Sequence, residues 1–232
     1  MKRFLWETHM HTEESSLCGQ MPAADIVRAY KNAGYHGVII TDHFVNGNSP
    51  GNMTAPWQRR MDILLRGYKA ALEAGTALGI HVLLGWEYLH HGAEFLTYGL
   101  NESFLRDNPD LDRIGVDAYV LRVRAAGGFV SQAHPFRTAT YLPPVVEKRW
   151  DLVDAFEVCN GSHLRAERAW DARALAMAKR RRLLMTAGSD AHTAVQVATA
   201  ALSFAEPFAT ARDFLTVLRA GAGEVVRLGG LG

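Results

Sequence analysis

The chain has 232 residues, of which 48% are hydrophobic and 21% are charged, and its formal net charge is +1. This composition excludes an intrinsically disordered chain and predicts a globular protein with a sizeable core, while the near-neutral charge does not favour binding to a nucleic acid. No window reaches the roughly 20 continuous apolar residues of a membrane-spanning helix, and residues 1–8 are too polar for a secretory signal, so we expect a cytoplasmic protein without membrane contact.

Short apolar runs and longer helical patterns alternate along the whole chain. Pro22 and Gly34 bracket the first helical pattern, as expected for a residue that opens a helix and one that closes it. Short runs rich in β-branched residues indicate strands, and longer stretches with apolar residues three and four apart indicate helices. In chain order, the patterns predict a strand at residues 4–8, a helix at 22–33, a strand at 37–41, a helix at 58–78, strands at 81–86 and 94–100, a helix at 112–126, strands at 129–133 and 155–158, a helix at 164–181, strands at 183–187 and 198–204, a helix at 207–220 and a strand at 224–227.

This alternation predicts an α/β fold in a single domain that spans residues 1–232. About seven strand-then-helix repeats in a chain of this length favour a parallel (β/α) barrel somewhat smaller than the usual eight-fold form. An open doubly wound sheet is the alternative architecture. Residues that could bind a metal follow at least five different strands, whereas an open sheet gathers its site where the strand order reverses, and this favours the barrel.

Histidines and carboxylates follow the predicted strands along nearly the whole chain. Residues two apart in an extended strand point to the same side, so His9 and His11 can present both imidazoles to one ion. Asp190 and His192 repeat that spacing near the other end of the chain. Glu87 follows a buried apolar run, where an unpaired carboxylate would be costly to desolvate and a metal ion would remove that cost. Further strand-end positions are occupied by Asp42, His43 and His134.

The two cysteines, Cys18 and Cys159, lie far apart in the sequence. This predicts reduced thiols rather than a disulfide. Both are interpreted as buried structural thiols. For Cys18, metal contact is the alternative, because it lies close in sequence to His9 and His11.

Five short motifs carry the candidate ligands in a fixed order. They are His9-Met10-His11-Thr12, Ile40-Thr41-Asp42-His43, Gly85-Trp86-Glu87, Ala133-His134-Pro135 and Gly188-Ser189-Asp190-Ala191-His192. They resemble the ordered motifs of the PHP (polymerase and histidinol phosphatase) family and extend from residue 7 to about residue 192, most of the chain. No glycine-rich phosphate loop or serine nucleophile elbow, which would indicate another class of hydrolase, is found in the sequence. The resemblance implies a distorted seven-stranded (β/α) barrel, similar to a TIM barrel, that binds two or three Mn, Fe or Zn ions.

The resemblance also implies a role for each matching residue. The ligands it implies are His9, His11, Glu87 and Asp190 for a first ion, Glu87 and His134 for a second, and His43 and His192 for a third, with Asp42 as a further candidate. The chain departs from the family pattern at two places. Many members have an Asp or His where this chain has Ser16 and Leu17, and a histidine often opens the strand that here begins with Glu94. Glu94 is expected to replace that histidine, with His91 as the alternative.

The function implied by the resemblance is that of a metal-dependent phosphoesterase. The expected substrate is a small phosphomonoester, similar to histidinol phosphate or a nucleotide. We hypothesise that two or more ions hold the phosphate oxygens and lower the pKa of a bridging water, whose hydroxide attacks phosphorus. Asp190 or His192 would handle the proton, and Arg137 would clamp a phosphate with its guanidinium. The loop at residues 46–57, rich in Gly, Asn and Pro, is predicted to be a lid over the site.

Three other functions stay open at the level of the sequence. A nuclease or phosphodiesterase acting on nucleic-acid ends would need a basic groove, which the near-neutral composition does not indicate. A metal-dependent amidohydrolase shares the paired histidines and the late aspartate, but usually needs a longer chain and a bridging lysine. A non-catalytic, metal-stabilised module would have lost metal ligands, and most of them are retained here.

Overall fold

The computed structural model describes residues 3–50, 54–140, 142–143 and 146–229. Strands and helices alternate over these ranges. The strands are β1 (Phe4–Glu7), β2 (Gly37–Ile40), β3 (His81–His90), β4 (Ala93–Tyr98), β5 (Phe129–Gln132), β6 (Ala155–Asn160), β7 (Leu184–Gly188), β8 (Ala200–Phe204) and β9 (Glu224–Arg227). The helices are α1 (Ala23–Asn32), α2 (Trp57–Leu78), α3 (Glu102–Asp107), α4 (Val116–Ala125), α5 (Arg168–Arg181) and α6 (Ala211–Arg219).

Several element bounds differ from those predicted, and one helix was not predicted. Strand β3 continues through Glu87 to His90, so this glutamate lies inside a strand rather than just after one. Helix α4 begins at Val116, not at residue 112. The short helix α3 was not predicted, and it begins where the Asn101 side chain accepts a hydrogen bond from the backbone of Phe104. Among the described residues, no helix combines the length and the apolar character needed to cross a membrane.

The strands form one mixed sheet of nine strands in the order β7-β6-β5-β4-β3-β2-β1-β8-β9. The expectation of seven strands was therefore wrong, because β8 and β9 continue the sheet beyond β1 in antiparallel pairings. Strand β4 is also antiparallel to β3 and β5. It follows β3 by a turn of two residues, His91 and Gly92, both with positive φ (48° and 79°), and a turn this tight can join only antiparallel strands.

The sheet curves into a nearly closed barrel rather than an open sheet. Beyond the ends of β1 and β7, Met10 and Ala191 form an isolated parallel bridge. The His11 N–H donates to the Ala191 carbonyl at 3.0 Å, and the Asp190 N–H donates to the His9 carbonyl at 2.7 Å. These bonds join the first and the seventh strand at their carboxyl ends. The two outermost ligand motifs of the sequence are thereby placed side by side.

Aromatic side chains hold β3 and β4 against helix α4. The buried residues of α4 recur three and four positions apart, as expected for a helix covering a sheet. They are Val116, Tyr119, Val120 and Val123. Tyr119 of α4 stacks on Tyr88 with ring centroids 3.8 Å apart. Its hydroxyl accepts a hydrogen bond from Trp86 Nε1 at 2.6 Å and lies 2.6 Å from the Thr97 hydroxyl. This contact fixes the hairpin that carries Glu87.

Candidate metal centre

The principal predicted ligands meet at one mouth of the barrel. The carboxyl ends of parallel strands lie at the same end of a barrel, and here these strands are β1, β2, β3, β5 and β7. All of these candidate ligands are buried except the last histidine, which is partly exposed. They are His9, His11, His43, Glu87, His134, Asp190 and His192.

The first group of ligands joins the two ends of the chain. His9 Nε2 lies 3.2 Å from Glu87 Oε1 and 3.3 Å from Asp190 Oδ1. His11 Nε2 lies 3.4 Å from the same oxygen of Asp190 and 3.3 Å from His9 Nε2. The ligand atoms of His9, His11 and Asp190 all lie within 4.8 Å of one another. This spacing would allow the three side chains to bind a single ion.

A second group of candidate ligands contacts both oxygens of Glu87. His43 Nδ1 lies 2.9 Å from Glu87 Oε2, and His134 Nε2 lies 3.4 Å from Glu87 Oε1. Glu94 approaches the same place, with its Oε2 at 3.4 Å from His134 Nε2. Glu94 reaches the mouth because β4 runs antiparallel, which puts the amino end of that strand beside the carboxyl ends of its neighbours.

A third group lies nearer the surface. His11, His43 and His192 have ligand nitrogens within 4.8 Å of one another, and the ring of His11 stacks on each of the other two. Cys18 Sγ lies 3.2 Å from His43 Nε2. Burial alone would raise the pKa of the Cys18 thiol, but hydrogen bonds with His192 and His43 lower it to about 6. Cys18 is only partly buried and lies beside the ligands, so it is not a core thiol.

Several buried polar atoms at the mouth indicate a fit to divalent metal ions. His43 Nδ1 and Glu87 Oε1 are buried, and although each has a candidate ligand atom within 3.2 Å, neither makes a hydrogen bond of good geometry in the described part of the chain. His9 and His11 point their Nε2 atoms at each other, and two imidazole lone pairs this close repel unless a proton or a cation lies between them. Imidazole nitrogen and carboxylate oxygen are ligands that Zn, Fe and Mn accept.

Charges in the cluster shift the pKa values of its members in opposite directions. Burial lowers the pKa of His9, but the surrounding carboxylates outweigh burial and hold that pKa well above its ordinary value. Burial and the neighbouring histidines lower the pKa of His11 well below its ordinary value. For Glu87 and Asp190, burial raises the pKa, yet the nearby cationic groups hold both well below the ordinary range. Both carboxylates are thus ionised and able to bind a cation.

Family models match two parts of the sequence. The model described as the PHP domain matches residues 7–136, which is more than half of the chain, and the one described as PHP-associated matches residues 169–222. The first match includes most of the ligands described above. The chain belongs to the PHP family. The resemblance seen in the motifs is thus confirmed, whereas no curated protein matches the sequence.

Solved structures share the PHP fold at low sequence identity. A two-domain protein from Bacteroides vulgatus, described as containing a predicted PHP-like metal-dependent phosphoesterase, aligns with a TM-score of 0.72 and 16% identity over 97% of this chain. This chain spans only 65% of that protein. The lesion-specific endonuclease EndoQ from Pyrococcus furiosus aligns with a TM-score of 0.64 and 14% identity, and the alignment covers all of this chain and 60% of the endonuclease chain. An amidohydrolase from Chromobacterium violaceum, solved with bound sulfate and no metal, aligns with a TM-score of 0.57 and 15% identity over 96% of this chain and 97% of its own.

Two buried residues hold the candidate ligands of this PHP chain by hydrogen bonds and were missed by the sequence analysis. Glu157 Oε1 lies 2.8 Å from His9 Nδ1, and Glu157 Oε2 accepts the backbone N–H of His134 at 2.9 Å. Asn160 Nδ2 donates to Glu157 Oε2 at 3.0 Å and to Asp190 Oδ2 at 3.1 Å. The signal in the sequence was a lone carboxylate inside the apolar strand β6.

Asp42 lies next to the cluster but outside the groups that could hold an ion. Its Oδ1 accepts the Thr12 N–H and the Ser16 hydroxyl, each at 2.7 Å, and its Oδ2 accepts the Thr12 hydroxyl at 2.8 Å. Ser16, one of the two positions that depart from the expected motif pattern, also accepts the His43 N–H at 3.0 Å. His91 lies exposed in the β3–β4 turn, also outside these groups, so Glu94 rather than His91 reaches the site.

The mouth opens into a cleft of about 570 Å³. Arg137 lines this cleft and forms an ion pair with Asp190, so its guanidinium is placed beside the ligands. Of the predicted lid, residues 51–53 lie outside the described part of the chain. In the remainder, Asn46 Nδ2 donates to the Leu89 carbonyl at 2.8 Å, and the Asn48 carbonyl accepts the Leu17 N–H at 2.9 Å. The first part of the loop is thus bonded to β3 and to the segment after β1.

Proposed function

We propose that this PHP chain is a metal-dependent phosphoesterase that hydrolyses a small phosphomonoester. The observation that carries the proposal is the convergence of histidines and ionised carboxylates around shared oxygens of Glu87, beside a cleft lined by Arg137. Hydrolysis of a phosphate ester requires positive charge at the phosphate oxygens and an activated water. Family membership supports the same chemistry.

The ligand groups suggest which residues would hold the ions. His9, His11 and Asp190 would hold one, and Glu94 with His134 would contribute to a second. Glu87 would join the two, because its Oε1 lies 3.2 Å from His9 Nε2 and 3.4 Å from His134 Nε2. Divalent ions bound there would neutralise phosphate oxygens and lower the pKa of a water. Their identity, whether Mn, Fe or Zn, is part of the proposal.

Two side chains are proposed to act on the substrate directly. Arg137 would bind a non-bridging phosphate oxygen through N–H groups that a planar guanidinium presents in a fixed fork. His192 Nδ1 lies 2.9 Å from the Asp190 carbonyl, which accepts its proton and so leaves Nε2 as the nitrogen with a lone pair. That nitrogen would bind an ion or take a proton. Asp190, ionised beside them, would stabilise the proton on the imidazole.

The proposed partner is a small phosphorylated molecule rather than a polynucleotide. Arg137 is the only Lys or Arg among the described residues that line the cleft. A nucleic-acid strand is usually held by several cationic side chains along its phosphates. The near-neutral chain supports the same choice, and a cytoplasmic location belongs to the proposal as well.

The test begins with elemental analysis of protein purified without a chelator. It continues with steady-state hydrolysis of an aryl phosphomonoester, an aryl phosphodiester and a duplex DNA with a single lesion, each with added Mn²⁺. We expect bound metal and metal-dependent release of phosphate from the monoester. Glu87→Gln should lose metal and lower kcat/KM by more than roughly 100-fold, because Glu87 contacts both groups of ligands. Glu73→Gln, an exposed change on α2, is the matched control.

Other outcomes of that experiment would reject the monoesterase. Hydrolysis of the diester or cleavage of the DNA alone would identify a nuclease. Metal without either activity would favour an amidohydrolase or a non-catalytic protein, and a screen of N-acyl compounds would distinguish these two. Absence of bound metal after Mn²⁺ addition would contradict the metal centre itself.

A further inference from the structure

One part of the cleft is apolar and lies beside the metal ligands. We call Leu89, Gly92, Leu142 and Pro143, which all line the cleft, the apolar wall. A Cβ added to Gly92 would lie 2.4 Å from Pro143 Cδ, so the β3–β4 turn and the segment at residues 142–143 are packed against each other. The wall therefore combines two separate parts of the chain, and its members carry no charge.

The strand register places Leu89 next to the ligands. Leu89 follows Glu87 by two positions on β3, and residues two apart on a strand point to the same face, about 7 Å apart along the strand. Leu89 is also the direct cross-strand partner of Glu94, and partners in a ladder share a face. A group esterified to a phosphate at Glu87 can therefore extend along β3 onto Leu89.

We propose that the apolar wall binds the leaving alcohol, and that the preferred substrates are phosphomonoesters of compact, uncharged, apolar alcohols. This inference rests on the proposed phosphoesterase function. In the reaction, the oxygen of a water forms a bond to phosphorus and the bond from phosphorus to the alcohol oxygen breaks. A proton from the water passes to the alcohol oxygen, so the products are inorganic phosphate and the free alcohol.

Hydration of the alcohol is the physical basis of this preference. An apolar alcohol loses unfavourable contact with water when it covers Leu89 and Leu142, which lowers the free energy of binding. A charged or multiply hydroxylated alcohol would lose its water at the wall without gaining a hydrogen-bond partner there. The wall thus favours apolar over polar alcohols in two ways: it lowers the free energy of binding for apolar groups, and it removes water from polar groups without replacing their hydrogen bonds.

The test compares benzyl phosphate with glycerol 2-phosphate. Both are monoesters of aliphatic alcohols, so the departure of the alcohol is chemically similar and the apolar character is the main difference. We expect kcat/KM for the benzyl ester to be at least roughly 10-fold higher. Leu89→Asn should lower this ratio by roughly 10-fold, whereas Leu72→Asn, an exposed leucine on α2, should leave the ratio unchanged. Leu142→Asn is the second variant should Leu89→Asn fail to fold.

Two results would overturn the proposal. Equal kcat/KM values for the two esters, unaffected by the substitutions, would remove the role of the wall while the phosphoesterase function stood. If neither ester is hydrolysed, binding of benzylphosphonate and methylphosphonate to the Mn²⁺-loaded protein decides. If benzylphosphonate binds the wild type roughly 10-fold more tightly than methylphosphonate does, and Leu89→Asn abolishes this difference, the wall is supported even though the phosphoesterase function has failed. Equal affinity for the two phosphonates, or no binding of either, would reject both proposals.

Discussion

At the residue scale, the orientation of His9 depends on Glu157. The carboxylate lies 2.8 Å from His9 Nδ1 and also accepts the backbone N–H of His134, so it uses one oxygen for each. Glu157→Gln keeps the size of the side chain but leaves only one acceptor oxygen. We expect metal affinity to fall roughly 10- to 100-fold, the usual effect of losing the partner of a ligating histidine. Competition with a fluorescent chelator measures this affinity.

The control for this prediction is Glu73→Gln, which removes an exposed carboxylate from α2 and should leave metal affinity unchanged. A wild-type affinity in Glu157→Gln would mean that the ring of His9 is held by its packing alone.

The two cysteines should differ strongly in reactivity. Cys18 is partly exposed and its pKa is lowered to about 6, so most of it is thiolate at pH 7. Cys159 is buried, and burial raises its pKa to about 12. Because the thiolate is the reactive form, iodoacetamide should label Cys18 at least roughly 100 times faster in chelator-treated protein at pH 7. Peptide mass spectrometry follows both sites. Comparable labelling of the two thiols before any unfolding would contradict the assignment.

At the scale of elements, Tyr119 links helix α4 to two strands of the sheet. Its hydroxyl contacts Trp86 Nε1 and the Thr97 hydroxyl, each at 2.6 Å. Tyr119→Phe leaves both groups buried without this partner, and we expect the free energy of unfolding to fall by about 1–3 kcal/mol. Urea unfolding of the chelator-treated protein measures the loss. Leu121→Ala, at an exposed position of the same helix, should change stability by less than about 0.5 kcal/mol, and a similarly small loss for Tyr119→Phe would show that water replaces the hydroxyl.

The position of Glu94 shows how far local sequence patterns predict this fold. Each apolar run was predicted as a strand, because a buried strand is recognisable over a few residues. The direction of β4 was not predicted, although the two-residue turn at His91 and Gly92 requires an antiparallel pair. Direction decides which end of a strand lies at the mouth, so Glu94 was assigned by family resemblance and not from the pattern.

Contacts between distant parts of the chain explain what the sequence did not predict. Glu157 is 148 positions away from His9, and no local pattern relates a carboxylate in β6 to a histidine after β1. Nine strands were predicted, but the expectation of a seven-stranded barrel was wrong for a similar reason, since the pairing of β8 with β1 joins residues about 200 positions apart. The candidate ligands could be named from the sequence because each follows a recognisable apolar run, and such runs end at the same mouth of a barrel whatever the exact strand count.

At the scale of the whole molecule, the closure of the barrel depends on a buried acid. Glu7 Oε1 accepts the backbone N–H groups of Thr8, His9 and Ser189 at 2.8 to 2.9 Å, and so joins the end of β1 to the segment after β7. Glu7 is fully buried. Burial raises its pKa from 4.5 to about 7, although its hydrogen bonds with Ser189 and His9 oppose the rise.

This raised pKa makes stability depend on pH. The folded state binds the Glu7 proton more tightly than the unfolded state, so the stabilisation is fully present below pH 4.5 and is lost as the pH rises through about 7. The loss amounts to about 3 kcal/mol. Glu7→Gln keeps an acceptor oxygen and does not titrate, so the free energy of unfolding of wild type minus that of the variant should fall between pH 5 and pH 8. Urea unfolding of the two chelator-treated proteins measures this difference in free energy. All other titrating groups are present in both proteins, so their contributions to the difference cancel. Parallel curves for wild type and variant would mean that Glu7 is already ionised in the folded protein at pH 5.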